Sequence, residues 1–118
     1  MKQDPVETNP NLYCVLWEND RVRVLEYRDR PGERTTPHEH PDSVMITLSA
    51  FRRGLVQGER HSEVELEGGL ARWLDAQEHS GENIGDTETH VIFVELKEPR
   101  AGGTGGDEAT LGPSDPGR

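Results

Sequence analysis

Apolar positions in this chain come in short runs that alternate with polar ones, and turn residues break the runs at close intervals. LYCVLW at 12–17 and RVRVLEYR at 21–28 read as strands, the second with Val22, Val24 and Glu26 on one face and Arg23, Leu25 and Tyr27 on the other. DRPG at 29–32 supplies a bend. The same signals predict strands over 34–40 and 43–49, a hairpin over 51–60, and strands over 62–67 and 70–74 separated by the Gly68-Gly69 turn. The last predicted strand, 89–97, is the most apolar. Over 70–81, Leu70, Trp73, Leu74 and Gln77 share a helical face, but Gly81, Asn83 and the neighbouring short strands favour a loop that carries His79. Many short strands at short intervals predict an all-β sandwich or barrel.

From Pro99 onward the pattern stops. Residues 99–118 are rich in Gly, Pro, Asp and Ser with no apolar period, and are expected to form a disordered tail. Residues 1–11 are expected to be flexible, which leaves 12–98 as one compact domain. With 31% hydrophobic residues in 118, there is material for one modest core and no second domain.

Charge removes one class of partner. Acidic residues outnumber basic ones 23 to 13, a formal charge of -10, which repels phosphate backbones and argues against nucleic acid. The single cysteine, Cys14, allows no intrachain disulfide, and its place in an apolar run suggests a small buried hydrophobe. No stretch is apolar and long enough to span a bilayer, and the first residues lack the apolar centre of a secretory signal. A cytoplasmic protein with no membrane partner is the expectation.

The densest chemistry lies in PGERTTPHEHPDSV at 31–44. In an extended strand alternate side chains share a face, so His38 and His40 can reach one point in space. They share parity with Val44, Ile46 and Leu48, which would turn them toward an apolar interior if the strand were regular. A third histidine, His79, comes from another segment. Divalent iron, zinc, nickel, copper and manganese all accept imidazole, and three such ligands leave positions open for water or substrate. Spacing alone allows a plainer alternative, in which the two histidines are half-exposed on a polar strand.

The residues also resemble a known family. Gly32, five further residues and His38-Glu39-His40 are similar to the start of the first cupin motif; Gly69, Trp73, His79 and Asn83 resemble the second. The resemblance covers 22–97 and implies a single small jelly-roll β-barrel with a metal inside. Carried over residue by residue, it gives His38, His40 and His79 as ligands of a divalent transition metal, Fe2+ favoured over Zn2+, Ni2+, Mn2+ or Cu2+. The chain departs from the pattern at Val44 and Met45, where the family has a glutamate ligand, and at Asp75, where it has a proline. The glycine after that proline is absent too, and the turn is one residue shorter.

Some cupin dioxygenases are similar in using three histidines, so the resemblance implies a metal-dependent oxygenase. The alternatives are a non-catalytic cupin that binds or senses a small molecule, and a sugar isomerase or epimerase with His79 or His90 as base. Three neutral imidazoles leave a divalent ion its full charge, which suits an anionic or chelating substrate such as an enolate, carboxylate or diketone.

Four further residues are candidates. His90 opens the last strand, where it would face inward with Ile92, Val94 and Leu96 as an outer partner, general base or fourth ligand, although histidines so placed more often just satisfy local hydrogen bonds. Arg34 shares parity with His38 and is a candidate for a substrate carboxylate. Tyr27 and Trp73 are candidate pocket walls. His61 is expected in solvent, Asn83 at a turn or strand end, and GGTGG at 102–106 lacks the lysine of a phosphate loop. A small core with open sheet edges predicts a homodimer, with the 12–17 strand available to a neighbour.

Overall fold

Alternation of buried and exposed side chains along each strand builds two antiparallel sheets that face one another. The structure is a computed structural model and describes residues 3–98 and 111–114. Among these, α1 (Pro5–Thr8) precedes β1 (Tyr13–Glu18), β2 (Val22–Asp29), β3 (His38–His40), β4 (Ser43–Thr47) and β5 (Phe51–Gln57). The chain continues through β6 (Arg60–Leu66), β7 (Ala71–Leu74), β8 (Gln77–Asn83) and β9 (Thr89–Leu96). One sheet has the order β1-β2-β9-β4-β7 and the other β3-β8-β5-β6. The expected all-β jelly roll is the observed architecture.

The core lies between the sheets. Leu25 and Tyr27 from β2, Met45 from β4, Phe51 from β5, Leu74 from β7, and Val91 and Phe93 from β9 form one buried cluster with Tyr13. The same inward rows carry polar groups, including Asp29, Thr47, Arg53, Thr89 and Glu95. Outside the larger sheet, register aligns Trp17, Val24, Val94, Val44 and Trp73 in one apolar row across five strands. No described helix is long and apolar enough to cross a membrane.

Four expectations change. First, the parity carried from His40 to Val44 is broken. Pro41-Asp42 passes the chain from the smaller sheet to the larger, so Ser43, Met45 and Thr47 point inward while Val44 and Ile46 lie half-buried outside and Leu48 is exposed. The histidines are buried all the same. Second, Cys14 is exposed, because β1 is an edge strand of which only Tyr13 is buried. Third, 77–83 is a strand. Its sequence QEHSGEN has no apolar alternation, and its order comes from pairing with β3 on one side and β5 on the other.

Fourth, the segment before β1 is tied down. Asp4 caps α1 through the Val6 N–H at 2.9 Å and is held by the Arg23 guanidinium, while Asn9 bridges to the backbone of Thr36. At the other end, the expected disordered tail lies outside the described residues except for 111–114. Those four dock on the barrel: the Gly112 N–H donates to Gln77 Oε1 at 2.8 Å, the Ser114 N–H to the Trp73 carbonyl at 2.8 Å, and Leu111 is buried. Gly112 has φ +88°, and a Cβ there would come within 2.5 Å of Leu55 Cδ1, so only glycine fits.

Candidate metal centre

β3 and β8 pair antiparallel with His38 directly opposite His79 and His40 opposite Gln77. Opposed residues on one face of a sheet are near neighbours. The three imidazoles therefore meet inside the barrel, each at most 8% exposed, with one ring nitrogen apiece lying within 4.8 Å of the other two. Sequence placed these three together by motif; the structure brings them together through a strand that the sequence reads as a loop.

Each ring is oriented from behind. His38 Nδ1 is 2.8 Å from the Thr36 carbonyl, His40 Nδ1 is 3.3 Å from Glu95 Oε2, and His79 Nδ1 is 2.7 Å from Gln77 Oε1. A carbonyl or carboxylate only accepts, so His38 and His40 carry their proton on Nδ1. The Gln77 amide is fixed in the same sense, because the Gly112 N–H donates to that oxygen while Gln77 Nε2 donates to the Asp75 carbonyl. His79 is then also protonated on Nδ1. In the neutral ring each Nε2 is then the unprotonated nitrogen, the state a metal ligand requires.

Burial disfavours the charged form of two of the rings. It lowers the His38 pKa from 6.5 to about 3, helped by the charge of His40, and the same two causes with His38 push His79 well below its ordinary value. Desolvation also raises Tyr13 well above the usual phenol range. The Tyr13 hydroxyl stands 3.3 Å from His38 Nε2 and 3.4 Å from His40 Nε2.

Behind His40 the support continues outward. Glu95 Oε1 accepts from Arg23 Nε at 3.1 Å, and Arg23 also grips Asp4, so the cap of α1 is linked to a ring of the centre. Beside the histidines lies a cavity of about 50 Å3 walled by Phe51, Leu55, Leu74 and Phe93, with Pro113 of the docked turn on its wall. That volume holds a few waters or the reacting end of a small molecule.

A second polar group lies deeper in the same wall. Asp29 Oδ2 accepts from the Tyr27 hydroxyl and from Arg53 Nη1, and Oδ1 accepts from Asn83 Nδ2 at 3.0 Å. Arg53 crosses Gly81, where a Cβ would lie 2.8 Å from Nη2 and would displace the guanidinium. Asn83 does sit at a strand end, but buried, and it also donates to the Thr87 carbonyl.

The remaining candidates scatter. Tyr27 does line the cavity, as part of the core and with its hydroxyl committed to Asp29. Arg34 lies outside on the surface, 3.5 Å from Glu82. Trp73 is on the outer face, bonded through Nε1 to Asp75 Oδ1 at 2.8 Å. His90 also faces outward: Thr89, Val91, Phe93 and Glu95 are the inward row of β9, and His90 Nε2 lies 2.7 Å from Glu26 Oε2. The apolar row Ile92, Val94 and Leu96 belongs to the outside of the sheet, which reverses the assignment of His90. His61 is exposed.

Sequence reasoning missed Tyr13, Gln77, Arg53, Asp29 and Glu95. One signal was present for Glu95: a lone carboxylate inside the most apolar strand needs a buried partner.

The comparisons agree with the geometry. No family model matches the chain, and no curated protein matches it. Among solved structures, a cupin domain from Bordetella pertussis is 29% identical, covers 74% of this chain and 93% of its own, and superposes with a TM-score of 0.68. A double-stranded β-helix protein from Klebsiella pneumoniae is 18% identical over 89% of this chain and 84% of its own, with a TM-score of 0.59. The polyketide cyclase RemF from Streptomyces resistomycificus is 21% identical over 73% of this chain and 64% of its own, at 0.56. The class of protein is thereby defined: this is the cupin fold, with three histidines gathered inside the barrel.

Proposed function

We propose that the protein is a metal-dependent enzyme that acts on a small anionic or chelating molecule at a three-histidine centre, with oxygenase chemistry as its reaction class. One observation carries this: three buried imidazoles converge inside the barrel, and each ring has an acceptor on Nδ1 that leaves Nε2 for an ion. The donor set suits a divalent transition ion of the Fe2+, Zn2+, Ni2+, Mn2+ or Cu2+ group, iron first. When bound, such an ion supplies Lewis acidity and, if ferrous, reactivity toward dioxygen.

The chain's own residues do the rest. Thr36, Glu95 and Gln77 hold the three rings in one tautomer and one orientation, so no reorganisation is needed when a ligand arrives. The apolar walls exclude bulk water and strengthen attraction for an anion beside the ion. A polyketide cyclase among the structural relatives makes polarisation of a carbonyl by the same centre a natural variant of this chemistry. Reconstitution with ferrous ion, followed by oxygen uptake on a panel of 1,3-diketones and enolisable keto acids, tests the proposal. Substrate-dependent uptake that disappears in His79→Ala is expected; protein that holds iron and consumes no oxygen with any panel member contradicts it.

One observation favours a second reading, a cupin that binds or senses a small molecule without turnover. The cavity is small and Pro113 lies against it. Calorimetric binding of a panel member without uptake would select this reading. The isomerase alternative has no support from His90, which lies outside the barrel.

We further propose that two copies pair through the apolar outer row. The rest of the surface belongs to a chain of formal charge -10, and this row, with Trp17 at 57% exposure, is where two copies meet with least repulsion. Size-exclusion chromatography giving a dimer that dissociates in Val94→Glu is the expected result, and a wild-type monomer overturns it.

A further inference from the structure

Val44 and Met45 supply no carboxylate where the cupin motif has a glutamate ligand, so an oxygen donor at this centre would come from elsewhere in the barrel. We propose that the Tyr13 phenol oxygen is the fourth protein donor, giving a centre of three histidines and one tyrosine. The proposal rests on the three-histidine reading above and names what completes it.

Tyr13 is the first residue of β1 and the only buried one in that strand. Its ring is wedged between Tyr27, with centroids 4.7 Å apart, and Phe93 at 6.1 Å, which aims the hydroxyl at the histidines. The oxygen lies 3.3 Å from His38 Nε2 and 3.4 Å from His40 Nε2. As hydrogen bonds these are poor, since a hydroxyl normally approaches its acceptor to about 2.7–2.9 Å. One proton also cannot serve two nitrogens at once. As separations between donors around one ion they fit well. Four donors each about 2.0–2.1 Å from a tetrahedral ion stand roughly 3.3–3.4 Å apart.

Two carboxylates inside the barrel are already committed. Glu95 is taken by His40 and Arg23, and Asp29 by Tyr27, Arg53 and Asn83. On coordination the O–H bond breaks, the proton leaves to solvent, and the phenolate takes one unit from the charge of the ion. The open positions then face a less strongly charged centre than three histidines alone would leave.

The test is spectroscopic. Purified full-length protein is stripped of metal and loaded with ferric or cupric ion, and the visible absorption and resonance Raman spectra are recorded for wild type, Tyr13→Phe, Tyr27→Phe and His38→Ala. The chain has two tyrosines, so the comparison isolates the donor. The expected result is a phenolate-to-metal charge-transfer band with tyrosinate vibrations in wild type and Tyr27→Phe. Tyr13→Phe should hold the ion and lack the band, and His38→Ala should lose both. The wild-type Raman spectrum decides the matter on its own if Tyr13→Phe fails to fold. Wild-type protein that holds the ion without tyrosinate vibrations overturns the proposal and leaves the three-histidine centre standing. Protein that binds no ion overturns both.

Discussion

Asp29 and His38 are both almost completely buried, at 2% and 1% exposure, yet their surroundings differ in kind. Around Asp29 the hydrogen bonds are closed. Four donors from Tyr27, Arg53, Asn83 and the Thr89 backbone converge on its two oxygens, and Arg53 makes a further bond to Thr89 Oγ1 at 3.2 Å. Around His38, His40 and His79 only the outer ring nitrogens are satisfied by short contacts to acceptors. The inner nitrogens of His38 and His40 share one hydroxyl, that of Tyr13, at 3.3 and 3.4 Å. A buried polar group left open in this way costs stability unless a guest completes it. The closed cluster is part of the scaffold, and the open one is a site.

Perturbing the two clusters should therefore give opposite signatures. The largest effect is expected from Arg53→Met, which strands the Asp29 carboxylate without its cation. Breaking one side of a buried pair costs about 3–5 kcal/mol, read as a lowered denaturation midpoint, with metal stoichiometry of the folded fraction unchanged. His79→Ala should do the reverse, leaving a folded barrel that has lost its metal. The stabilisation that saturating metal confers, about 2.7 kcal/mol at a hundred times the dissociation constant, should vanish with it.

Gln77→Met should act between these extremes. It removes the acceptor that fixes the His79 tautomer, and loss of such a partner weakens metal binding by about 10–100-fold, measurable by competition with a chelator. Metal-free protein should also lose stability in acid. His38 titrates near 3 when folded and 6.5 when unfolded, so the unfolded chain binds the proton more readily. Stability is full above about pH 6.5 and falls as the pH drops from 6.5 toward 3, with His79 contributing in the same direction. Urea midpoints across that range check the slope, and His38→Gln should flatten it. The smallest effect is expected from Gly112→Ala. The added Cβ meets Leu55, the turn at 111–114 undocks, and a chelator should strip the metal faster while the fold persists.

The two clusters were also unequally legible in the sequence. His38 and His40 could be read as a pair because alternation holds over a three-residue strand, and His79 through its spacing from Asn83. The jelly-roll strands announced themselves wherever apolar residues alternated. What failed was parity carried across a break: Pro41-Asp42 moves the chain between sheets, so the apolar residues taken to line the interior are those on its outside. His90 is a separate case: β9 is unbroken, and the apolar row to which His90 belongs faces outward. Strand β8 was invisible because every residue in it but Gly81 is polar and its order is supplied by neighbours.

The Asp29 cluster could not be read at all. Its members come from β2, β5, β8 and β9, and only the pairing of β5 with β8 and of β2 with β9 puts them together. Tyr13 was hidden for a related reason. It lies in a run whose composition marks a buried strand, while the structure buries that one residue and exposes the rest.

The central claim is that the open cluster holds a metal through His38, His40 and His79. Elemental analysis of untagged protein beside His38→Ala and His79→Ala tests it most directly. The account predicts close to one equivalent of a divalent transition metal in wild type, lost in both variants while each keeps its β-sheet circular dichroism. Wild-type protein that stays empty after reconstitution, or variants that retain the wild-type metal content, would contradict it.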